Sequence, residues 1–567
     1  MMRVRNIVRW AGVVGLVAAG GCKSLDVQNP NNPDAARAFA DPGAVAGLLT
    51  GAFKNWIINK NEYNSSLLLD HMADSYTSSW NNFNIRYYSS DAADCPPARC
   101  GWDNSPSSAF RFQIEYFWYG YYAALSNAND VLTAIRTNHV TITDAATTKM
   151  METGAVMMQA MVFAQIALNY DQGFIVDETT DLSNPLALPL TPRAGMRDAA
   201  IAKFEEGITL AKANTFNSPT VWMGVKSGPS YTNNQLAGIM RTMQAELLAF
   251  YPRTPAENAQ VNWGQVATYA SQGLSAPGGA EFSFYSDAGG VYYDGVKGWG
   301  NDITTVRVDT RVAHLVTDGP NPAKVHKDPW PDPQGNPQPN AFDKRVGDGS
   351  WGPTDDFLGV GTVVDDGAGG TDYAFASLAI FRAARGNYHQ SNLGHIRYSA
   401  LAAPGYGLPG QDGTGVFPIY SKAFNDLLWA EGLARSNGDL GLAADLINKT
   451  RVTRGGLTAA SAADGQAGLI AMIQYEDEIE MMGLHASPYY NQRRKDGGLH
   501  ANTPRQMPIP AKELQVLAKE LYTFGGPGKP DAAPAAAGGV GRIRNVREIW
   551  SELVTQSQVE AARRKRH

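Results

Sequence analysis

Apolar residues recur at helical spacing through long stretches of this chain. Ile201, Phe204, Ile208 and Ala211 keep to one face of a helix, which the polar run Asn214 to Ser218 ends. Leu236, Ile239, Met240, Met243, Leu247 and Phe250 form a second such face, stopped by Pro252. Phe424, Leu427, Leu428 and Leu433 make a third, closed by Asn437-Gly438, and Ala443, Leu446 and Ile447 start a neighbour after a very short turn. Helix, brief turn, helix is the unit of tetratricopeptide-like repeats. No 34-residue consensus repeats cleanly, so the pattern predicts divergent helical hairpins, with a generic helical bundle as the other reading. The expected class is mostly α.

The stretch from about 276 to 415 breaks this pattern. It carries Trp299, Trp330 and Trp351, the run Asp328-Pro329-Trp330-Pro331-Asp332-Pro333, and Asp365-Asp366-Gly367-Ala368-Gly369-Gly370. Long irregular segments inside a large fold are usually functional or disordered, and frequent tryptophans argue against disorder. A loop-rich, ordered insertion packed on the helical scaffold is expected.

At the N-terminus, Arg3, Arg5 and Arg9 precede an apolar and small-residue stretch, Trp10 to Gly21, too short to span a bilayer. Ala19-Gly20-Gly21-Cys22 resembles the lipobox of bacterial lipoproteins, although Ala19 stands where that motif usually has Leu. Cleavage would leave Cys22 as the lipid-bearing first residue. Lys23 follows it, not the Asp that often retains lipoproteins at the inner membrane, which favours the outer membrane. The other reading is an ordinary secretory peptide with Cys22 incidental. No later stretch reaches the roughly 18 apolar residues of a membrane span.

Loss of residues 1–21 leaves 546 residues (567 − 21) and moves the formal net charge from -6 to -9 (-6 − 3). No basic stripe interleaves with aromatics, so a nucleic-acid partner is not expected. The run Arg563-Arg564-Lys565-Arg566 reads as a solvated terminus. Outside the cytoplasm Cys95 and Cys100 read as a small disulfide-closed loop. A zinc site would need two further ligands at metal spacing, and no partner CxxC or HxxxH is present.

Several blocks resemble SusD/RagB proteins, in that family's order. Leu25 to Pro33 resembles its Asn-Pro-rich opening, and Trp118 to Ile135 the helix with its Ala-Asn pair, here Ala128-Asn129. Gly154 to Gly173 sits where the family has a Gly-Glu-Ala…Arg-Ala helix, with Ala and Met replacing the Glu and Arg. Ile447, Asn448 and Arg451 match an Ile-Asn-x-x-Arg ending. Tyr475 to Arg494 resembles a Glu-rich helix followed by Tyr-Asp-x-x-Arg, with Asn491 in place of Asp. Met507 to Leu514 is close to Pro-Ile-Pro…Glu-Leu. The resemblance covers residues 22–524. Residues 525–567, Ala/Gly/Pro-rich and then helical in pattern, extend beyond the family's usual end. It implies tetratricopeptide-like hairpins, a loop-built ligand face, a lipid anchor in the outer membrane and a SusC-like TonB-dependent barrel as partner. The expected ligand is a glycan or another nutrient.

Catalytic patterns are missing. The chain has no Gly-x-Ser-x-Gly elbow, no His-Glu-x-x-His, no phosphate loop and no Rossmann glycines after a strand. Its nine histidines are scattered, and acidic pairs such as Asp365-Asp366 or Glu478 and Glu480, which could imitate a glycosidase pair, are expected anyway among 54 acidic residues. No catalytic residue, metal or cofactor is expected, and a structural role is the better reading of Glu476, Glu478 and Glu480. Sugar capture needs flat apolar rings rimmed by amide, carboxylate and guanidinium groups. Two segments supply them: Asp74 to Asp91, with Asp74, Trp80, Asn81, Arg86 and Tyr88, and the insertion, with Tyr292, Tyr293, Trp299 and Trp330. The leading reading is a nutrient-capturing surface lipoprotein. An exported glycoside-active enzyme and a helical-repeat assembly factor of the outer membrane are the alternatives.

Overall fold

A computed structural model describes residues 41–78, 85, 88–89, 102–224, 228–287, 292–302, 305–318, 343–346, 370–375, 391, 393–402, 412–500 and 503–522. The expectations that rest on Cys22, on Cys95 and Cys100, on Trp80, Asn81, Arg86 and Trp330, and on residues 1–21 and 525–567 lie outside the described residues.

Helix α1 (Pro42–Lys60) starts on Asp41, whose carboxylate accepts the Gly43 N–H at 2.8 Å, with Pro42 preset for the first turn. A short helix α2 (Leu68–Met72) comes after a π-turn at Tyr63–Leu67. Then come α3 (Phe112–Leu132), α4 (Ala145–Asn169), α5 (Arg193–Ala213), α6 (Asn233–Phe250) and α7 (Trp263–Ser271). Each long helix lies against the next: α3 on α1, α4 on α3, α5 on α4, α6 on α5 and α7 on α6. This is the hairpin stack expected from the apolar spacing, and Ile201, Phe204, Leu236 and Met243 sit on the faces assigned to them.

Helix α4 is the centre of the stack, with every residue from Met150 to Asn169 buried. By length and hydropathy it also qualifies as a membrane span, contrary to the expectation that no later stretch would, but its apolar window is wholly inside the protein. A helix apolar all round is what a position with neighbours on every side requires. Its polar residues find partners there. Gln159 donates at 2.8 Å to Asn129 Oδ1, and Asn129 donates at 3.1 Å to the Val176 carbonyl. The Asn of the Ala-Asn pair therefore ties α3 to α4 and to the loop after α4.

The chain leaves the stack after α7 and returns at α10 (Lys422–Arg435), which packs on α7. Gly432 makes that close approach possible, because a Cβ there would come within 2.6 Å of the Ala267 backbone nitrogen. Helices α11 (Leu440–Arg451) and α12 (Gly465–Ile479) then cover α10. Asn437 turns the chain between α10 and α11 at φ +55°. Helices α13 (Ser487–Arg493) and α14 (Ala511–Val516) complete the order.

Between α7 and α10 lies the insertion, and its described parts are more regular than the expected loops. It holds β2 (Phe282–Asp287), α8 (Gly295–Gly300), β3 (Val306–Val308), α9 (Thr310–Asp318), β4 (Tyr373–Phe375), β5 (Leu393–His395) and β6 (Thr414–Tyr420). Strand β2 pairs antiparallel with β6, Phe282 opposite Tyr420 and Asp287 opposite Thr414, which clamps the two ends of the insertion together. Strands β4 and β5 form a second ladder, and β3 pairs with β1 (Tyr76–Ser78), which precedes α3 in the chain.

Buried ion pairs join this strand-rich body to α12. Arg345 donates to Asp343 (2.7 and 2.9 Å), Glu476 (2.9 Å) and Glu480 (3.0 Å), with none of these side chains more than 1% exposed. Arg454 reaches Asp372 at 2.7 Å and Glu480 at 2.9 Å, and Arg311 reaches Glu478 at 2.7 Å. The carboxylates of the Glu-rich helix thus have structural partners. Asn491, standing where the resembled motif has Asp, donates to Glu478 at 3.1 Å and accepts from Arg494 at 2.9 Å. A carboxylate at that place would face the Glu478 carboxylate; the amide bonds both neighbours.

Candidate ligand-binding face

Helix α8 is short but held on all sides. Asp294 caps it by accepting the Lys297 N–H at 2.8 Å, and its other oxygen accepts from Asn61 Nδ2 at 2.9 Å and from Lys297 Nζ at 2.8 Å. Asp294 and Lys297 are fully buried, and the Val296 N–H donates to the Asn61 carbonyl at 3.1 Å. A buried pair with its remaining valences satisfied fixes geometry even where it adds little stability. On this base Trp299 stands half-buried, its ring tilted against Tyr63 with centroids 6.0 Å apart. Tyr293, also half-buried, lies against the same helix at Gly298.

The ladder of β1 and β3 brings the two sequence-predicted segments together. Tyr76 is opposite Val308 and Ser78 opposite Val306, so the described start of the first segment pairs with the strand that comes after Trp299. Gly300 lies against the Tyr76 ring, where a Cβ would come within 3.1 Å of the phenol. Two stretches more than two hundred residues apart thus share one face.

The predicted site residues divide on that face. Trp299 keeps an accessible side. Asp74 and Tyr88, expected to contact ligand, are interior residues instead. Asp74 is 0% exposed at φ +53°, and its carbonyl accepts from Arg311 Nε at 3.2 Å. Tyr88 is 3% exposed, donates at 2.8 Å to Gln113 Oε1 and packs against Trp102 with centroids 5.7 Å apart. Tyr292 is buried too, its hydroxyl donating to the Val221 carbonyl at 3.0 Å. The sequence showed aromatic and polar side chains side by side without showing which of them fill the base of the face.

Beneath it the interior is polar but closed. Tyr76 Oη and His395 Nδ1 are 2.9 Å apart, and burial, reinforced by Arg397, pushes the imidazole down to about 3, so it is neutral. Neither carboxylate oxygen of the fully buried Asp70 has a hydrogen-bond partner among the described residues. Burial first, and then Glu478, push its carboxyl well above the ordinary range, against the opposing pull of Lys297. Among the described residues no three His, Cys, Asp or Glu side chains are placed to hold a metal ion.

A second concavity, about 670 Å³, lies on the other elements of the stack, where α5 begins, α6 ends and α7 starts. Ile201, Leu248, Tyr251, Val261 and Tyr269 turn half-buried sides into it. Arg193 and Arg197 stand over the Tyr251 ring, 4.1 and 4.8 Å from its centroid. Three separated segments build this groove, so no local pattern announced it.

The described chain is a helical-hairpin stack interrupted by one strand-rich body, with Trp299 seated on the short buried helix α8. The same architecture occurs in solved structures. A SusD-like carbohydrate-binding protein from Bacteroides fragilis NCTC 9343 aligns over 87% of this chain and 90% of its own, at 13% identity and a TM-score of 0.53. A SusD homolog from Bacteroides thetaiotaomicron VPI-5482 aligns over 79% and 85%, at 12% identity and a TM-score of 0.51. A SusD superfamily protein from Parabacteroides distasonis ATCC 8503 aligns over 84% and 97%, at 14% identity and a TM-score of 0.50. No family model and no curated protein matches the chain. The fold of this chain is the SusD fold, which agrees with the resemblance carried by its sequence blocks.

Proposed function

We propose that the protein is a surface lipoprotein that captures a glycan and hands it to a SusC-like, TonB-dependent outer-membrane barrel. The observation that supports this reading is the pairing of β1 (Tyr76–Ser78) with β3 (Val306–Val308), near Trp299 on the firmly held helix α8. Indole and phenol rings take the apolar faces of sugar rings, and the asparagines and Arg86 of the first segment suit the hydroxyls. The fold shared with a SusD-like carbohydrate-binding protein supports the ligand class. The Ala19-Gly20-Gly21-Cys22 ending supports the anchor, and the sequence resemblance supports the barrel partner. Binding without cleavage is supported by Glu478 and Glu480, one of the two acidic pairs that could imitate a glycosidase pair, being held by Arg311 and Arg454; the other pair, Asp365-Asp366, lies outside the described residues.

The test is calorimetry of the mature protein against a panel of bacterial-habitat polysaccharides and their oligosaccharides. One class should bind without being shortened, and Trp80→Ala should weaken it about tenfold or more with little change in Tm. A stability loss of the size of a buried tryptophan's, about 3–5 kcal/mol, would return Trp80 to the core. Binding to no glycan, or release of shortened products, overturns the reading. Cys22→Ser should abolish lipid labelling and free the protein from the membrane fraction.

A further inference from the structure

The groove between α5, α6 and α7 has an apolar strip of Ile201, Leu248, Val261 and Tyr269 rimmed by charged and amide side chains, has no occupant among the described residues, and the described chain ends near its rim. Tyr522 donates from its hydroxyl to Asp171 Oδ1 at 3.0 Å, and the Asp171 carbonyl accepts the Arg193 N–H at 2.8 Å. Arg193 is a groove residue. Its guanidinium donates to the Tyr251 carbonyl at 2.9 Å and to Glu257 at 2.5 Å, both of them groove residues as well. The sequence therefore runs on from one residue's distance of the groove.

The C-terminal residues beyond this point have the composition of a tether and then of a ligand for such a groove. Residues 525–541 (17 residues, 541 − 524) are rich in Gly, Ala and Pro. A flexible chain spans about 5–6 Å times the square root of its length, so this stretch reaches roughly 20–25 Å. Beyond it Ile543, Val546, Ile549, Trp550, Leu553 and Val554 repeat at i, i+3, i+6, i+7, i+10 and i+11, the spacing of one helical face. Arg544, Arg547, Glu548 and Glu552 lie off that face. A mixed-charge flank suits a rim that carries Arg197 and Asp198, both of which keep solvent-exposed side-chain surface. An amphipathic helix laid in an apolar groove is a common way for helical scaffolds to bind a peptide. The groove offers no open ring face for a sugar at Tyr251, where two guanidinium groups already stand.

From these observations we infer that the groove is the docking site of the chain's own C-terminal segment, with the apolar face of residues 543–554 laid against Ile201, Leu248, Val261 and Tyr269. The occupant is intramolecular, because the tether is short and begins at the rim, which gives the segment a high effective concentration there. This site is separate from the ligand-binding face and does not depend on the reading given to that face.

The experiment pairs cross-linking with hydrogen exchange on the full chain. Gln260→Cys, at the groove, is combined with Glu552→Cys, and Asp445→Cys on the outer helix α11 with Glu552→Cys serves as the control. Mild oxidation should link the two introduced thiols within one chain for the groove pair, in large excess over the control pair. Trp550→Asp with Leu553→Asp should speed amide exchange in residues 248–251 and 260–269 about tenfold, with exchange in α4 unchanged. Equal linking at both positions, links formed only between chains (a second copy in the groove), or unchanged exchange in the groove segments overturns the inference.

Discussion

The helical stack and the strand-rich body are built on different principles, and the contrast explains what each can do. In the stack, α4 is surrounded by Leu, Met, Ala, Val and Phe side chains. Packing carries most of such an arrangement, because apolar burial needs no exact partner. In the strand-rich body the ladders are two strands wide and three to seven residues long. Ribbons that small are marginal by themselves. What seats them is a set of arginines, buried Arg311 and Arg345 and half-buried Arg454, each fixed on carboxylates of α12 and the turn that ends it. Buried ionic contacts need particular partners, and that need gives a defined geometry to the region that holds Trp299.

The sharpest way to break this contrast is Arg345→Ala. It would leave Asp343, Glu476 and Glu480 buried with one common cation gone, and losing one partner of a buried pair costs about 3–5 kcal/mol. The loss should be regional. Amides of β4 and β5, such as Ile396 N–H on the Asp372 carbonyl (2.8 Å), should exchange early, while α4 to α6 remain protected. Equal loss of protection in α4 would show that the two regions are one cooperative unit.

The same contrast decided what could be read from the sequence. The faces of α5, α6, α10 and α11 were legible because an exposed helix must alternate polar and apolar positions at its own period. Helix α4, buried on all sides, has no such alternation, and its place was suggested only by resemblance. The ion-pair network was illegible for another reason. Asp343, Arg345 and Asp372 lie more than a hundred residues before Glu476, in a stretch whose Gly and Pro content reads as solvent-exposed loop. Nothing local says that these charges are buried. The binding face was half legible: aromatic and amide residues stood out, but burial sorted Tyr88 and Asp74 into the interior and left Trp299 accessible.

A second test sets two buried glutamates against each other within the stack. Glu431 is buried, which alone would raise its pKa, yet Arg494 and Arg435 hold it below the ordinary value. Glu513 of α14 is also buried but has no arginine; burial pushes it up to about 7, and hydrogen bonds with Trp118 and Tyr119 only partly oppose this. With the folded value above the unfolded one, the native state holds the proton more tightly. The contribution of Glu513 to stability is therefore full below about pH 4.5 and falls as pH rises to about 7, by on the order of 3 kcal/mol at about 1.4 kcal/mol per unit. Glu513→Gln should remove that decline. Denaturant melts of the two proteins across this window measure it, and parallel pH profiles would mean that Glu513 is ionised in the fold.

Trp299→Ala sharpens the contrast from the side of function. The ring is half-buried on a base fixed by Asp294 and Lys297, so its truncation should cost stability little, since that base does not depend on it. Glycan affinity should fall about tenfold, roughly 1.4 kcal/mol. Calorimetry and melting on the same variant separate this from a packing role, in which Tm would drop and affinity hold.

The smallest effect is expected at the end of a stack helix. Thr232 Oγ1 accepts the Gln235 N–H at 3.2 Å, and Gln235 Oε1 accepts the Thr232 N–H at 2.9 Å, a reciprocal cap at the start of α6. Removing such a cap typically costs about 1 kcal/mol, because one of the helix's first N–H groups loses its acceptor. Thr232 is itself exposed, so water replaces part of what Thr232→Ala removes, and the core beneath α6 stays intact. The destabilisation should therefore stay near that figure, with faster exchange confined to the first turn of α6. If packing carries the stack, a lost cap frays one end and goes no further. Exchange spreading from Asn233 through Met243 to Phe250 would instead mean that the stack, like the strand-rich body, depends on individual polar contacts.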